Sequence, residues 1–199
     1  MTATPLDPGG NIHQRARLHV CMIVTHLTRR KNVPVSIDTC MEIGTGVMQG
    51  MQERDLYRLL YMQDATVEDE VIWRVNNCVD YIAAGAFVRA FARAAGLAPL
   101  ADDAFGMLID SVIDRLKGDN PVGPRTCRWP AAQEIEAMAA RAVEAASPAN
   151  PEELRDAILP LIRPEYLVNH PLGADDPAHD PPPSPDGERR AMKALLIDL

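Results

Sequence analysis

Residues 66–96 read TVEDEVIWRVNNCVDYIAAGAFVRAFARAAG, and the way this stretch is read decides the fold. Thr66 is a capping residue type, and Glu68, Asp69 and Glu70 place negative charge in the first turn, where the helix dipole favours it. Ile72, Val75, Val79, Ile82, Ala86 and Ala90 then recur at the three-then-four spacing of a helix stripe. Val71, Cys78, Phe87, Phe91 and Ala94 widen that stripe, while Trp73 and Tyr81 add bulk on another side. A helix apolar around so much of its circumference is expected in a core, with neighbours on several faces. At 1.5 Å per residue it would span about 43 Å, the length of a small domain. Gly96, with Pro99 behind it, ends the pattern. The run Ala83, Ala84, Gly85, Ala86 predicts close contact with another helix at its middle.

Helical patterns extend to both sides. Asn11 is placed to cap a helix reaching Lys31, with Ile12, Ala16, Val20, Ile23 and Leu27 inward. Arg29, Arg30 and Lys31 close it, where positive charge suits the carboxyl end of the dipole. Asn32 to Pro34 makes a turn and Ser36 caps a second helix. Gly44, Gly46 and Gly50 weaken that helix by up to about 1 kcal/mol each, so they mark a break near residue 50 or a close backbone approach. A helix resumes over 52–63, with Leu56, Leu59, Leu60 and Met62 as its apolar positions and Tyr57 and Tyr61 four apart. Beyond the central helix, helices are expected from Asp102 or Asp103 to Lys117, from Ala131 to Ala146, and from Asn150 to the interruptions at Pro160 and Pro164. No strand is expected.

The fold class is therefore all-α: one helical-bundle domain of six or seven helices around the long central helix. Its organisation reads as a loose arm over 1–10, a helical domain over 11–172, a linker over 173–187 and a short amphipathic docking helix over 188–199. The linker holds five prolines and four aspartates with almost nothing to bury. In the last segment Met192, Leu195, Leu196 and Leu199 fall at the spacing by which a helix fills a groove, with Arg189, Arg190 and Lys193 beside them.

A chain of 199 residues with a 47% hydrophobic fraction can fill one core and gives no ground for wholesale disorder. The net charge of −8 argues against nucleic-acid binding by broad charge neutralisation. Charge is unevenly spread, with residues 1–35 at net +4 and residues 148–199 at net −5. The opening residues lack the basic and apolar regions of a signal peptide, and no uncharged run approaches the ~18 residues that span a bilayer. Cys21, Cys40, Cys78 and Cys127 are scattered, as buried free thiols of a reducing compartment would be, so a soluble cytoplasmic protein is expected.

The chemical motifs are sparse. No phosphate-binding Gly-rich lysine loop, nucleophile elbow or His-Glu-x-x-His occurs. His19 and His26 share a helix face but lack further metal ligands in sequence. Cys127 between Arg125 and Arg128 is a candidate reactive thiolate, with His170 as a conceivable base. Asp110 and Asp114 are one turn apart, the usual arrangement of a solvated helix face. A helix-turn-helix over 36–61 with Gly44 as its turn would have only Arg54 and Arg58 as donors in its second segment. The expected function is a non-catalytic interaction protein, an inhibitor, adaptor or small assembly subunit, whose partner is another protein or a second copy of itself. Nucleic acid and membrane are not expected partners, and no cofactor or metal is expected. Its expected contact residues are Arg29, Arg30, Lys31, Met192, Leu195, Leu196 and Leu199. The alternatives are an enzyme with a fold-assembled site using Cys127, and a DNA-binding helical regulator.

Overall fold

The structure, a computed structural model, describes residues 8–117, 126–162 and 167–168. Among them run α1 (Pro8–Arg30), α2 (Ile37–Met48), α3 (Glu53–Tyr57) with a π-helical turn (Arg58–Met62), α4 (Ala65–Ala94), α5 (Asp102–Lys117), α6 (Ala132–Ala146) and α7 (Pro151–Ile158) with a 3-10 turn (Leu159–Leu161). The expected linker 173–187 and docking helix 188–199 lie outside the described residues, as does the arm up to residue 7.

The chain is an all-α bundle. The long helix is α4, and α1, α2, α5, α6 and α7 all pack on it. Val71, Val75, Val79, Phe87 and Phe91 of α4 are fully buried, each contributing about 1.5–3 kcal/mol by leaving water. Phe87 and Phe91 stack with ring centres 4.7 Å apart. From α1 the inward stripe is Ile12, Ala16, Val20, Val24 and Leu27, with Ile23 half-buried at its edge. From α5 come Leu108, Val112, Ile113 and Leu116, and from α7 Leu154 and Ile158. Phe105 and Ile109 of α5 are the side chains nearest Gly85 of α4, and Tyr81 reaches Asp110. These pairings run in opposite directions along the two helices, so α4 and α5 are antiparallel.

The helix ends show where local chemistry differs from expectation. The cap of α4 is Asp64, two residues before Thr66: its carboxylate accepts the Thr66 N–H at 3.1 Å. Arg58 also donates to Asp64, at 2.7 and 3.0 Å, and these hydrogen bonds hold the Asp64 carboxyl below its usual range. Gly96 ends α4 as expected, in the left-handed region at φ +68°. Its N–H bonds Arg93 O at 3.1 Å and the Leu97 N–H bonds Ala92 O at 2.9 Å, a Schellman closure. Asn32, at φ 59°, closes α1 in the same way, with the Val33 N–H on Thr28 O at 2.8 Å. At its other end α1 begins at Pro8, so Asn11 lies inside the helix and does not cap it.

Ser36 caps α2 as expected, accepting the Thr39 N–H at 3.1 Å. Gly44 is not a turn, because α2 runs through it to Met48 and the break falls at 49–52. A Cβ at Gly44 would sit 3.0 Å from Cys21 Sγ and 3.7 Å from Arg17 O, so this glycine lets α1 and α2 approach closely. The helix over 52–63 widens into the π turn, which leaves Met62 exposed while Leu56 and Leu59 are buried. One feature was not expected at all: Thr126–Cys127 and Leu167–Val168 form a two-residue antiparallel ladder, too short to alter the fold class.

At Gly85 a Cβ would lie 3.5 Å from Phe105 Cζ and 3.6 Å from Ile109 Cδ1, ordinary contact distances. Gly85→Ala should therefore raise stability by up to about 1 kcal/mol through helix propensity. Gly85→Leu should lower it by about 1–3 kcal/mol through overpacking. Urea denaturation reads both, and a parental midpoint for the leucine variant would place Gly85 away from α5. The depressed Asp64 carboxyl gives a pH prediction. A group whose folded pKa is lowered stabilises above its unfolded value and loses that contribution as pH falls through the folded value. Asp64→Ala should lower the melting temperature at neutral pH, with the gap closing as pH falls below the ordinary carboxylate value of about 3.9.

Candidate functional site

The basic end of α1 divides by exposure. Arg29 is exposed and Arg30 is half-buried. Lys31 does not belong to that surface: it has no exposure, and its Nζ lies 2.6 Å from Asp80 Oδ1. The expected three-residue cluster is corrected to two arginines, because Lys31 falls four residues after Leu27, on the inward stripe of α1. The same Asp80 oxygen accepts the Trp129 indole N–H at 3.1 Å. Trp129 is held to the end of α1 twice more, by its N–H on Lys31 O at 2.9 Å and by the Asn32 side-chain amide on its own carbonyl at 3.2 Å. Its ring packs against Phe87 with centres 6.1 Å apart. Sequence reasoning did not find Asp80; the available signal was an acid among the apolar positions of the central helix.

Met192, Leu195, Leu196 and Leu199 lie outside the described residues. Cys127 is described only by its backbone, paired with Leu167, and the residue expected as its base, His170, lies outside. Cys21, Cys40 and Cys78 are free thiols. Burial pushes the Cys21 and Cys78 thiols up, away from reactive thiolate character. Cys21 Sγ rests 3.2 Å from Met41 Sδ. His26 is exposed and His19 half-buried on α1. Among the described residues no three His, Cys, Asp or Glu side chains are placed to hold a metal ion, and no helix is long and apolar enough to cross a membrane.

Two surface features remain. The first is an open cleft of about 480 Å³ between α1 and α2, where Met41 lies among Arg17, Asp38, Glu42 and Gln49. The second is a row of large side chains facing out of the bundle. On α4 these are Trp73, 55% exposed, and Tyr81, 43% exposed, two turns apart on one face. Asp69 and Glu70 are exposed one turn before Trp73, and Asp110 and Asp114 are exposed on α5 beside Tyr81. The Tyr81 hydroxyl donates to Asp110 Oδ1 at 3.3 Å. Partial burial first, then the charge of Asp110, pushes the Tyr81 phenol up. Around the π turn, Tyr57 and Tyr61 pair with ring centres 4.9 Å apart, and Arg15 donates to the Tyr61 hydroxyl at 2.9 Å. An aromatic stripe bordered by carboxylates suits the apolar and cationic groups of a ligand. No family model matches the chain, and neither a curated protein nor a solved structure is found to resemble it.

Removing one member of a buried ion pair leaves the other charge uncompensated, at a cost of about 3–5 kcal/mol. Asp80→Asn keeps the shape of the side chain and removes its charge, so it should destabilise the protein by that amount in chemical denaturation. A variant within about 1 kcal/mol of the parent, the worth of an ordinary neutral hydrogen bond, would show that the pair does not hold α1 to α4.

Proposed function

We propose that this chain is a non-catalytic interaction protein, an inhibitor, adaptor or small assembly subunit. It binds another protein or a second copy of itself through helical surfaces, with residues 188–199 as a tethered docking helix. The observation that carries this reading is the outward placement of Ile37, Tyr57, Tyr61, Met62, Trp73 and Tyr81, each at least 43% exposed. Single exposed apolar residues are ordinary, but tryptophan and tyrosine dominate binding hot spots because one ring supplies both apolar area and a polar edge. The amphipathic spacing of Met192, Leu195, Leu196 and Leu199 supports the tethered helix. Arg29 and Arg30 supply the cationic contacts to an acidic partner, and the free thiols fit a cytoplasmic setting.

The test is capture of the tagged full chain from its native cells, followed by titration of the purified partner. A partner recovered in stoichiometric amount is expected. Tyr57→Ala, which removes an exposed ring away from Trp73, should weaken its binding by about 2 kcal/mol, roughly thirtyfold. Arg29→Glu should slow association and flatten the salt dependence. A chain that stays monomeric, retains no partner and shows turnover of a small molecule overturns the reading.

A further inference from the structure

We infer that the Trp73–Tyr81 face of α4, with its border of carboxylates, is the docking surface for this chain's own residues 188–199. The inference rests on the interaction reading above and gives its tethered helix a seat.

Three observations favour this occupant. The first is chemical match. The face presents two aromatic rings between Asp69 at one end, its neighbour Glu70 being paired with Arg74, and Asp110 and Asp114 at the other. In the sequence of the segment Met192, Leu195, Leu196 and Leu199 fall at the spacing of one helical stripe, with Arg189, Arg190 and Lys193 among them. Aliphatic groups cover the rings while cations meet the carboxylates and the ring faces. The second is size. Twelve helical residues extend about 18 Å, and Trp73 to Tyr81 spans about 12 Å along α4, so one short helix covers both rings.

The third is the tether. Val168 pairs with Thr126, and Trp129, three residues further on, lies within about 10 Å of it along the chain. The Trp129 indole is bonded to Asp80, the neighbour of Tyr81. The described end of this connection therefore lies near α4, on the side where Asp80 meets Trp129, and the remaining chain has to cross to the proposed seat. Residues 169–187, rich in proline and aspartate, reach up to about 60 Å at 3.1 Å per residue, more than this path needs. A helix of about 12 residues is marginal alone in water, and docking supplies the burial it lacks.

Trp73 itself reports the contact, because the chain has two tryptophans and Trp129 is buried. Acrylamide quenching of the full chain is measured at concentrations where sedimentation shows a monomer. The expected result is a shielded Trp73 in the parent and several-fold stronger quenching in Leu195→Asp/Leu196→Asp, with an unchanged melt of the bundle. Asp110→Arg/Asp114→Arg should unshield Trp73 in the same way, from the other side of the contact and without touching the tail. A Trp73 already open in the parent monomer and unaffected by either variant overturns the docking, and so does shielding that appears only as dimers form. Neither of those results touches partner binding, which the capture experiment reads separately.

Discussion

An ammonium group and a carboxylate are tolerated in a protein interior only as partners, and the meeting of Lys31 with Asp80 sets the terms for the rest of the bundle. Desolvating either charge alone costs several kcal/mol, so the two must arrive together. They come from positions 49 residues apart, and Trp129 joins the same carboxylate oxygen from another 49 residues on. One oxygen thus gathers the end of α1, the middle of α4 and the segment leading into α6. The backbone serves this meeting. The left-handed turn at Asn32 stops α1 where Lys31 can turn inward, and the Lys31 carbonyl then receives the Trp129 N–H. An apolar pair could match this in stability, but it would not demand one particular register. The charged pair does, since sliding α1 by one turn would bury an unpaired amine.

The fixed register lets α4 serve two purposes around its circumference. Its inner face is valine, phenylalanine and small residues, close enough to α5 that Gly85 meets Phe105 and Ile109. Trp73 stands out into water, while Tyr81, one turn before Gly85, borders α5 with its hydroxyl on Asp110 and its ring partly exposed. A long helix held by neighbours along most of its length can display aromatic rings without bending toward them. The π turn at Arg58–Met62 likewise exposes a side chain while staying anchored. Its wider winding moves Met62 outward while Arg58 stays on Asp64 and so on the cap of α4.

The architecture was legible because long-period apolar spacing records which faces are buried. The central helix, the α1 stripe, the Ser36 cap and the Gly96 terminator all follow from local residue chemistry and stand in the structure. What local chemistry misplaces is any residue whose partner is distant in sequence. Lys31 reads as the third member of a surface cluster because two arginines precede it, while its position four after Leu27 points inward. Asp64 takes the capping role from Thr66 because Arg58, six residues back, orients its carboxylate. Trp73 and Phe87 are both large apolar residues of one helix, and only the packing of the other helices separates the exposed ring from the buried one.

Moving Lys31 into the core also lowers the positive charge displayed at the end of α1. With three exposed cations, the end of α1 would be the dominant charged feature and an acidic partner its natural complement. With Lys31 neutralised inside by Asp80, Arg29 and a half-buried Arg30 remain there. The carboxylates around Trp73 and Tyr81 stay exposed, and partial burial, with Asp110 and Asp114 beside it, raises the Tyr81 phenol. In a chain of net charge −8, this face sets aromatic rings beside carboxylates, a pairing whose chemistry suits cationic and apolar groups. The buried pair therefore does more than hold three segments in register: by withdrawing a lysine from the surface, it leaves two arginines rather than three cations at the end of α1.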